Sequence, residues 1–177
     1  KLYKYLAKNK IGTTGKGIGP SYTDKAARIG IRAADLFDLE SLYPRLERVM
    51  SHHNAIIEKV YESTPISLEY VIDRCKDWAS KMQPLVGAVE HVVYDAIGAG
   101  KMVLLEGAQG MMLDLDHGTY PYVTSSHPTI GGASTGLGLL PRDFDSILGV
   151  FKAYSTRVGS GPFLTELFDE TGDLIRE

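Results

Sequence analysis

Cysteine is nearly absent: Cys75 is the only one in 177 residues. A single cysteine excludes an intramolecular disulfide framework and a cysteine-built zinc site, and it fits a reducing, cytoplasmic setting. Excess charge of one sign is missing too. Lys plus Arg total 19 against 22 for Asp plus Glu, a net charge of -3. That balance argues against a nucleic-acid-wrapping protein while leaving room for a local basic site. No run approaches about 18 unbroken apolar residues, so no membrane span is expected. The first residues, Lys1-Leu2-Tyr3-Lys4-Tyr5, hold neither an initiator Met nor the apolar run of a signal peptide. The chain is therefore not expected to start where its gene starts. What is present suffices for a core: 44% of residues are hydrophobic and 23% charged, which sets the chain apart from a disordered tail. Its length fits one domain, or a domain plus a subdomain.

Glycine placement divides the sequence. Five of the 19 glycines fall in residues 1–30, none between Ile31 and Val86, and the other 14 in 87–177. Glycine costs a helix interior about 1 kcal/mol relative to alanine, so the glycine-free stretch favours helix. Leu42, Leu46, Val49, Met50, His53, Ile56, Ile57 and Val60 recur at three- and four-residue steps and predict one long amphipathic helix. Asp38 is its expected N-cap, and Pro44 sits in its first turns. Ser67 opens a second predicted helix that Pro84 ends or kinks, and a third covers about 88–97. Beyond it, Met102-Val103-Leu104-Leu105 and Ile147 to Tyr154 read as strands. Ligand sites in open α/β sheets gather at strand C-terminal ends, which directs attention to the loop-rich stretch between the two runs.

Several clusters there and near the N-terminus can carry chemistry. Ile11 to Pro20 combines four glycines with Thr13, Thr14 and Lys16. Such a loop can turn backbone N–H groups and hydroxyls toward an anion, or can be a mobile surface loop. It is not a nucleotide P-loop, because two residues rather than four separate its glycines and Gly17 follows Lys16. Ser21 and Asp24 resemble a capping box for the next helix. Lys25 and Arg28, three apart, form either a solvated basic stripe or an anion site, with Arg28 offering a two-pronged phosphate donor. Asp114, Asp116 and His117 match no standard metal cage, and turn and network roles are favoured. Gln109, between two glycines, offers a donor and an acceptor to a ligand edge, or stabilises its own loop. Thr124-Ser125-Ser126 can bind phosphate, although satisfying loop backbone is the commoner use of such hydroxyls. His52 and His53 are expected to face solvent or a partner. No nucleophilic Ser/His/Asp or Cys/His set assembles.

Taken together, these blocks resemble the adenylosuccinate synthetase family of purine-pathway ligases. Gly17-Ile18-Gly19-Pro20-Ser21-Tyr22-Thr23-Asp24-Lys25-Ala26-Ala27-Arg28 is similar to the family's second signature, with Lys25 in the marked lysine position. Glu106 to Ser126 resembles its Glu-Gly-Ala-Gln-Gly to Thr-Ser-Ser block, and Lys152 to Phe163 its Lys-Ala-Tyr-Ser-Thr-Arg-Val-Gly block. The likeness runs over nearly the whole chain, with the blocks in order.

The resemblance implies an α/β fold: part of a central β-sheet flanked by helices, with a mainly helical insertion at about 31–99. It divides the chain into a glycine loop and basic helix (1–30), a helical subdomain (31–99) and a strand-and-loop part of the core (100–177), all within one larger domain. It implies GTP-dependent ligation of IMP and L-aspartate to adenylosuccinate through 6-phosphoryl-IMP, with Mg2+, in a cytoplasmic homodimer that binds neither nucleic acid nor membrane. Thr14 and Thr124 correspond to IMP phosphate contacts, Arg28 to an arginine reaching the partner subunit's IMP, and Val158 to a residue lining the nucleotide pocket. Gln109 corresponds to a glutamine near the purine 6-position, and Lys25 is carried as a signature lysine of the catalytic set. The family's N-terminal phosphate loop, catalytic aspartate and histidine, and its guanine- and aspartate-binding segments are not in this sequence. Most GTP and Mg2+ contacts, and every metal ligand, are expected in those segments, and His117 does not replace the histidine. The chain is thus expected to be a central fragment that supplies part of the IMP site and dimer interface and is inactive alone. The alternatives are a stand-alone nucleotide-binding or dimerisation module, and a different phosphate-handling enzyme that uses the glycine loop for GTP.

Overall fold

The computed structural model describes residues 15–177. They form two compact units, residues 15–104 and residues 105–177.

The first unit is helical. Helix α1 spans Ile18–Ala26, α2 Leu39–Lys59, α3 Leu68–Met82 and α4 Val89–Gly98, with short 3-10 turns at Ala33–Phe37 and Gln83–Leu85. Local capping starts the two long helices where the sequence predicts. The Asp38 carboxylate accepts from the Ser41 N–H at 3.1 Å, and the Ser67 hydroxyl accepts from the Tyr70 N–H at 3.0 Å. Pro44 lies within α2, which runs on through it. Helix α1 differs from expectation: it begins at Ile18, with Gly17 at the N-cap, so Ser21 lies inside it. Pro20 is tolerated there because a first-turn N–H has no intrahelical acceptor.

The core of this unit is small. Leu36, Leu42, Leu46 and Cys75 are buried, and Met50, Leu68, Val71, Ile72 and Met82 pack against them. Leu42, Leu46 and Met50 are the four-step stripe of α2, which brings its apolar face onto α3. Polar bonds fasten the edges. Arg45 donates to Asp35 at 3.0 Å and to the Gly30 carbonyl at 2.5 Å. Asn54 pairs with both backbone groups of Ile66 at 2.8 Å, pinning the α2–α3 connection. His53, expected to face solvent or a partner, instead bonds Asp24 of α1 at 2.9 Å.

The second unit is mostly loop, with α5 at Ile130–Leu137, α6 at Glu170–Arg176, and 3-10 turns at Met111–Leu113 and Pro141–Asp143. Here the structure corrects the expected fold class. No strand forms among the described residues, so the central β-sheet of the predicted α/β fold is not seen. The physical reason is pairing. A strand needs a neighbour to take its N–H and C=O groups, and neither apolar run forms a ladder with another described segment. Their side chains are correspondingly bare: Met102 is 99% exposed and Phe151 92%. Among the described residues no helix is long and apolar enough to cross a membrane.

Candidate functional site

In the first unit Gly15, Lys16 and Gly17 lead directly into α1. Gly17 has φ 82, and its carbonyl accepts from the Ser21 N–H at 3.1 Å. Lys25 lies in the last turn and is exposed. Arg28 falls outside the helix, so the expected shared helical face with Lys25 does not form. The amides of Ile29 and Gly30 both turn back to the Asp24 carbonyl, at 3.0 and 3.1 Å. That reversal puts Arg28 at φ 62, a left-handed conformation usually given to glycine. The Arg28 guanidinium is exposed, with no hydrogen bond or ion pair among the described residues. Thr14 lies outside the described residues.

The second unit holds the other candidates. Gln109 sits on an exposed bend at φ 64, again left-handed and not glycine. Past it, Asp114 is the buried hub of a loop. Its carboxylate accepts from the backbone N–H groups of Asp116 (2.9 Å) and His117 (3.1 Å), from the Thr129 hydroxyl (3.2 Å), and pairs with His127 Nδ1 at 3.3 Å. Burial pushes the carboxyl up, but these donors outweigh burial and hold it down at about 2. The network role favoured for Asp114 is thus the one it fills, and the Asp116 and His117 side chains stay exposed.

Backbone bonds tie the rest of the loop to this hub. The Thr124 N–H donates to the Leu113 carbonyl at 2.8 Å, Leu115 to Ser126 at 3.2 Å and Thr119 to Met112 at 3.1 Å. Gly118 is needed where the loop closes, since a Cβ there would lie 2.5 Å from the carbonyl oxygens of Asp114 and Met112. The Tyr120–Pro121 peptide is cis. Thr124 is half-buried. The Arg157 guanidinium joins this loop to the Arg157–Gly161 turn through Thr119, Tyr122 and Ser160. Val158 follows directly and is 99% exposed. The structure thus places Gln109, Thr124 and Val158 on interlinked segments of one unit, and Lys25 and Arg28 in the other.

Two clefts lie elsewhere. One of about 240 Å³ beside α5 is lined by His117, His127, Thr129, Gly131, Gly132 and Thr135. An apolar one of about 660 Å³ lies between α2 and α3. None of the five candidates lines either. No group of three His, Cys, Asp or Glu among the described residues can hold a metal ion. Sequence reasoning missed the Arg157 clamp and the left-handed backbone at Arg28 and Gln109. For Gln109 the flanking glycines are a usable signal. For Arg157 the bonds span 35 and 38 positions, which no local pattern records.

Comparison with known proteins agrees with the motif blocks. The adenylosuccinate synthetase family model matches residues 2–177. An adenylosuccinate synthetase of Oceanobacillus iheyensis is 54% identical over 169 residues, covering 96% of this chain and 39% of that protein. One from Lactiplantibacillus plantarum is 52% identical over 174 residues, covering 98% and 41%. Among solved structures, fully ligated adenylosuccinate synthetase from Plasmodium falciparum superposes with a TM-score of 0.86 at 38% identity, over 99% of this chain and 40% of that one. The chain spans about two fifths of the length of the relatives it matches.

Proposed function

The chain belongs to the adenylosuccinate synthetase family, and from that premise we propose that it forms part of the IMP site and dimer interface of a GTP-dependent ligase. In the whole protein the reaction joins IMP and L-aspartate, in purine nucleotide biosynthesis in the cytoplasm. The purine N1 gives its proton to a base held outside this stretch as the 6-oxygen takes the γ-phosphoryl of GTP: an O–P bond forms, the bridging P–O bond breaks, and GDP leaves. The aspartate amine then bonds to C6, the C6–O bond breaks, phosphate departs, and the nitrogen loses its proton to give adenylosuccinate.

Of the three exposed non-glycine side chains held on left-handed backbone among the described residues, Arg28 and Gln109 lie in the motif blocks and carry the site assignment, while Glu62 lies in the α2–α3 connection. Left-handed backbone costs a non-glycine residue about 1–2 kcal/mol, and such cost concentrates where a side chain is required. The Gln109 amide donates to the charge growing on the 6-oxygen and accepts from the ring edge. The Arg28 guanidinium reaches the IMP of the partner subunit in a homodimer. Thr124 and Thr14 bind the 5′-phosphate, Val158 lines the nucleotide pocket, and Lys25 adds positive potential beside Arg28. Among the described residues no three His, Cys, Asp or Glu side chains converge as an all-protein cation cage would need. On this reading Mg2+ and most of GTP are held outside this stretch, no step here runs through the metal, and the chain alone is inactive.

Calorimetric titration of this chain with IMP, with AMP and GTP as controls, tests the reading. Selective IMP binding is expected. Preference for GTP over IMP overturns it in favour of a GTP-handling loop, and adenylosuccinate formation by the isolated chain overturns the partial-site assignment.

A further inference from the structure

Arg157 spends every guanidinium nitrogen on the protein itself. Nη1 donates to the Thr119 hydroxyl at 3.2 Å and Nη2 to the Tyr122 carbonyl at 2.9 Å. Nε and Nη2 also donate to the Ser160 carbonyl, at 3.3 and 3.1 Å. With its nitrogens so engaged, this arginine is not a free anion contact. The junction is also close-packed. A Cβ on Gly161 would lie 2.6 Å from Arg157 Nη2 and 2.7 Å from the Tyr122 Cβ, and Gly161 has φ 121.

What Arg157 joins is informative. On one side lies the loop locked by Asp114, in which the Thr119 amide is bonded to Met112 and the Thr124 amide to Leu113. Those bonds tie Thr119 and Thr124 to the adjacent residues Met112 and Leu113, so fixing Thr119 and Tyr122 constrains Thr124. On the other side, Val158 is bonded directly to Arg157 in sequence. A planar fork of fixed donors can span a hydroxyl and two carbonyls at once, whereas a lysine ammonium is a point charge on a flexible stem.

We propose that Arg157 is a positioning residue that sets the segment carrying Thr124 against the turn carrying Val158, so that both meet IMP in one geometry. The inference rests on the reading that Thr124 and Val158 face IMP. Three variants of the full-length protein test it: Arg157→Ala, Arg157→Lys and Thr124→Ala. Arg157→Ala is expected to raise the KM for IMP about tenfold or more and to leave the KM for GTP unchanged. Amide exchange across 119–124 is expected to quicken, and guanidinium ion in millimolar amounts to restore part of the lost IMP affinity. Arg157→Lys falls between, at about threefold. A purely structural role would instead lower the melting temperature and shift every KM together, without rescue.

If Thr124→Ala raises the KM for IMP and Arg157→Ala does not, the positioning role alone falls. If Thr124→Ala changes nothing, the IMP reading falls and takes the positioning role with it. Should Arg157→Ala fail to fold, Arg157→Lys decides: a raised IMP KM with unchanged GTP KM supports the role, and an unchanged IMP KM overturns it.

Discussion

Replacing Arg28 with glycine separates conformational cost from function in one residue. Arg28 sits at φ 62, after the last turn of α1, where the Ile29 and Gly30 amides fold back onto the Asp24 carbonyl. A Cβ in that conformation costs about 1–2 kcal/mol. Glycine removes this cost but adds about 0.4–1 kcal/mol of unfolded-chain entropy to be lost on folding. The Arg28 side chain has no partner among the described residues whose loss would offset the gain. Arg28→Gly is therefore expected to stabilise the unit of residues 15–104 by about 0.5–1 kcal/mol. At about 4–8 °C per kcal/mol for a domain of that length, the melting temperature read from helical circular dichroism rises by about 2–8 °C. Arg28→Ala keeps the Cβ and is expected to show no such rise. Function moves the other way in both. Losing a charge-assisted phosphate contact worth about 1.5–3 kcal/mol weakens IMP affinity of the full-length protein about 10- to 150-fold. Equal stability of the glycine and alanine variants would refute the strain argument. Unchanged IMP affinity in both would refute the assignment of Arg28 to the site.

The other predictions concern what holds each unit. Leu46→Ala, at a buried position 5% exposed in the α2–α3 core, should destabilise the first unit by about 2–5 kcal/mol in urea unfolding; a loss under about 1 kcal/mol would mean the core is not packed as described. Cys75 is buried and its thiol is pushed up by burial, so maleimide labelling at neutral pH should be negligible in the folded chain and complete in denaturant. The Asp114 carboxyl is held down at about 2 from an ordinary 3.8, so its contribution is complete above about pH 4 and is lost as pH falls toward about 2. Amide exchange of residues 112–126 should quicken through that window, and Asp114→Asn should flatten the response; identical acid profiles for the two proteins would refute the hub.

How much of this was legible in the sequence depended on the range of the interaction. The starts of α2 and α3 were readable because Asp38 and Ser67 bond amides three residues on. The buried stripe Leu42, Leu46 and Met50 was readable because helical period is local. The start of α1 was misjudged: Ser21 looked like a cap, but a helix can accept Pro20 in its first turn and so begin earlier. The strands were misjudged for a different reason. An apolar run such as Ile147 to Tyr154 records only that burial would be favourable, whereas a strand exists only in its pairing. Motif blocks located Gln109 and Thr124, yet the clamp that fixes the second rests on Arg157, 35 positions from Tyr122.

The two units are ordered by different forces. In residues 15–104, four buried apolar side chains form a cluster across the 3-10 turn, α2 and α3. In residues 105–177, Leu139 is the one large apolar side chain described as buried, and the fully buried side chain is a carboxylate. Apolar burial is insensitive to pH and to small changes of angle. A network built on one ionised group depends on both, because each donor aimed at Asp114 loses its acceptor's charge together with the rest. The loop bearing Thr124 should therefore lose order in acid before the helical unit does. Amide exchange measured for both units in one acid titration shows this as an early transition confined to residues 112–126. Simultaneous loss in both units would mean that the Asp114 network does not decide when the second unit loses order.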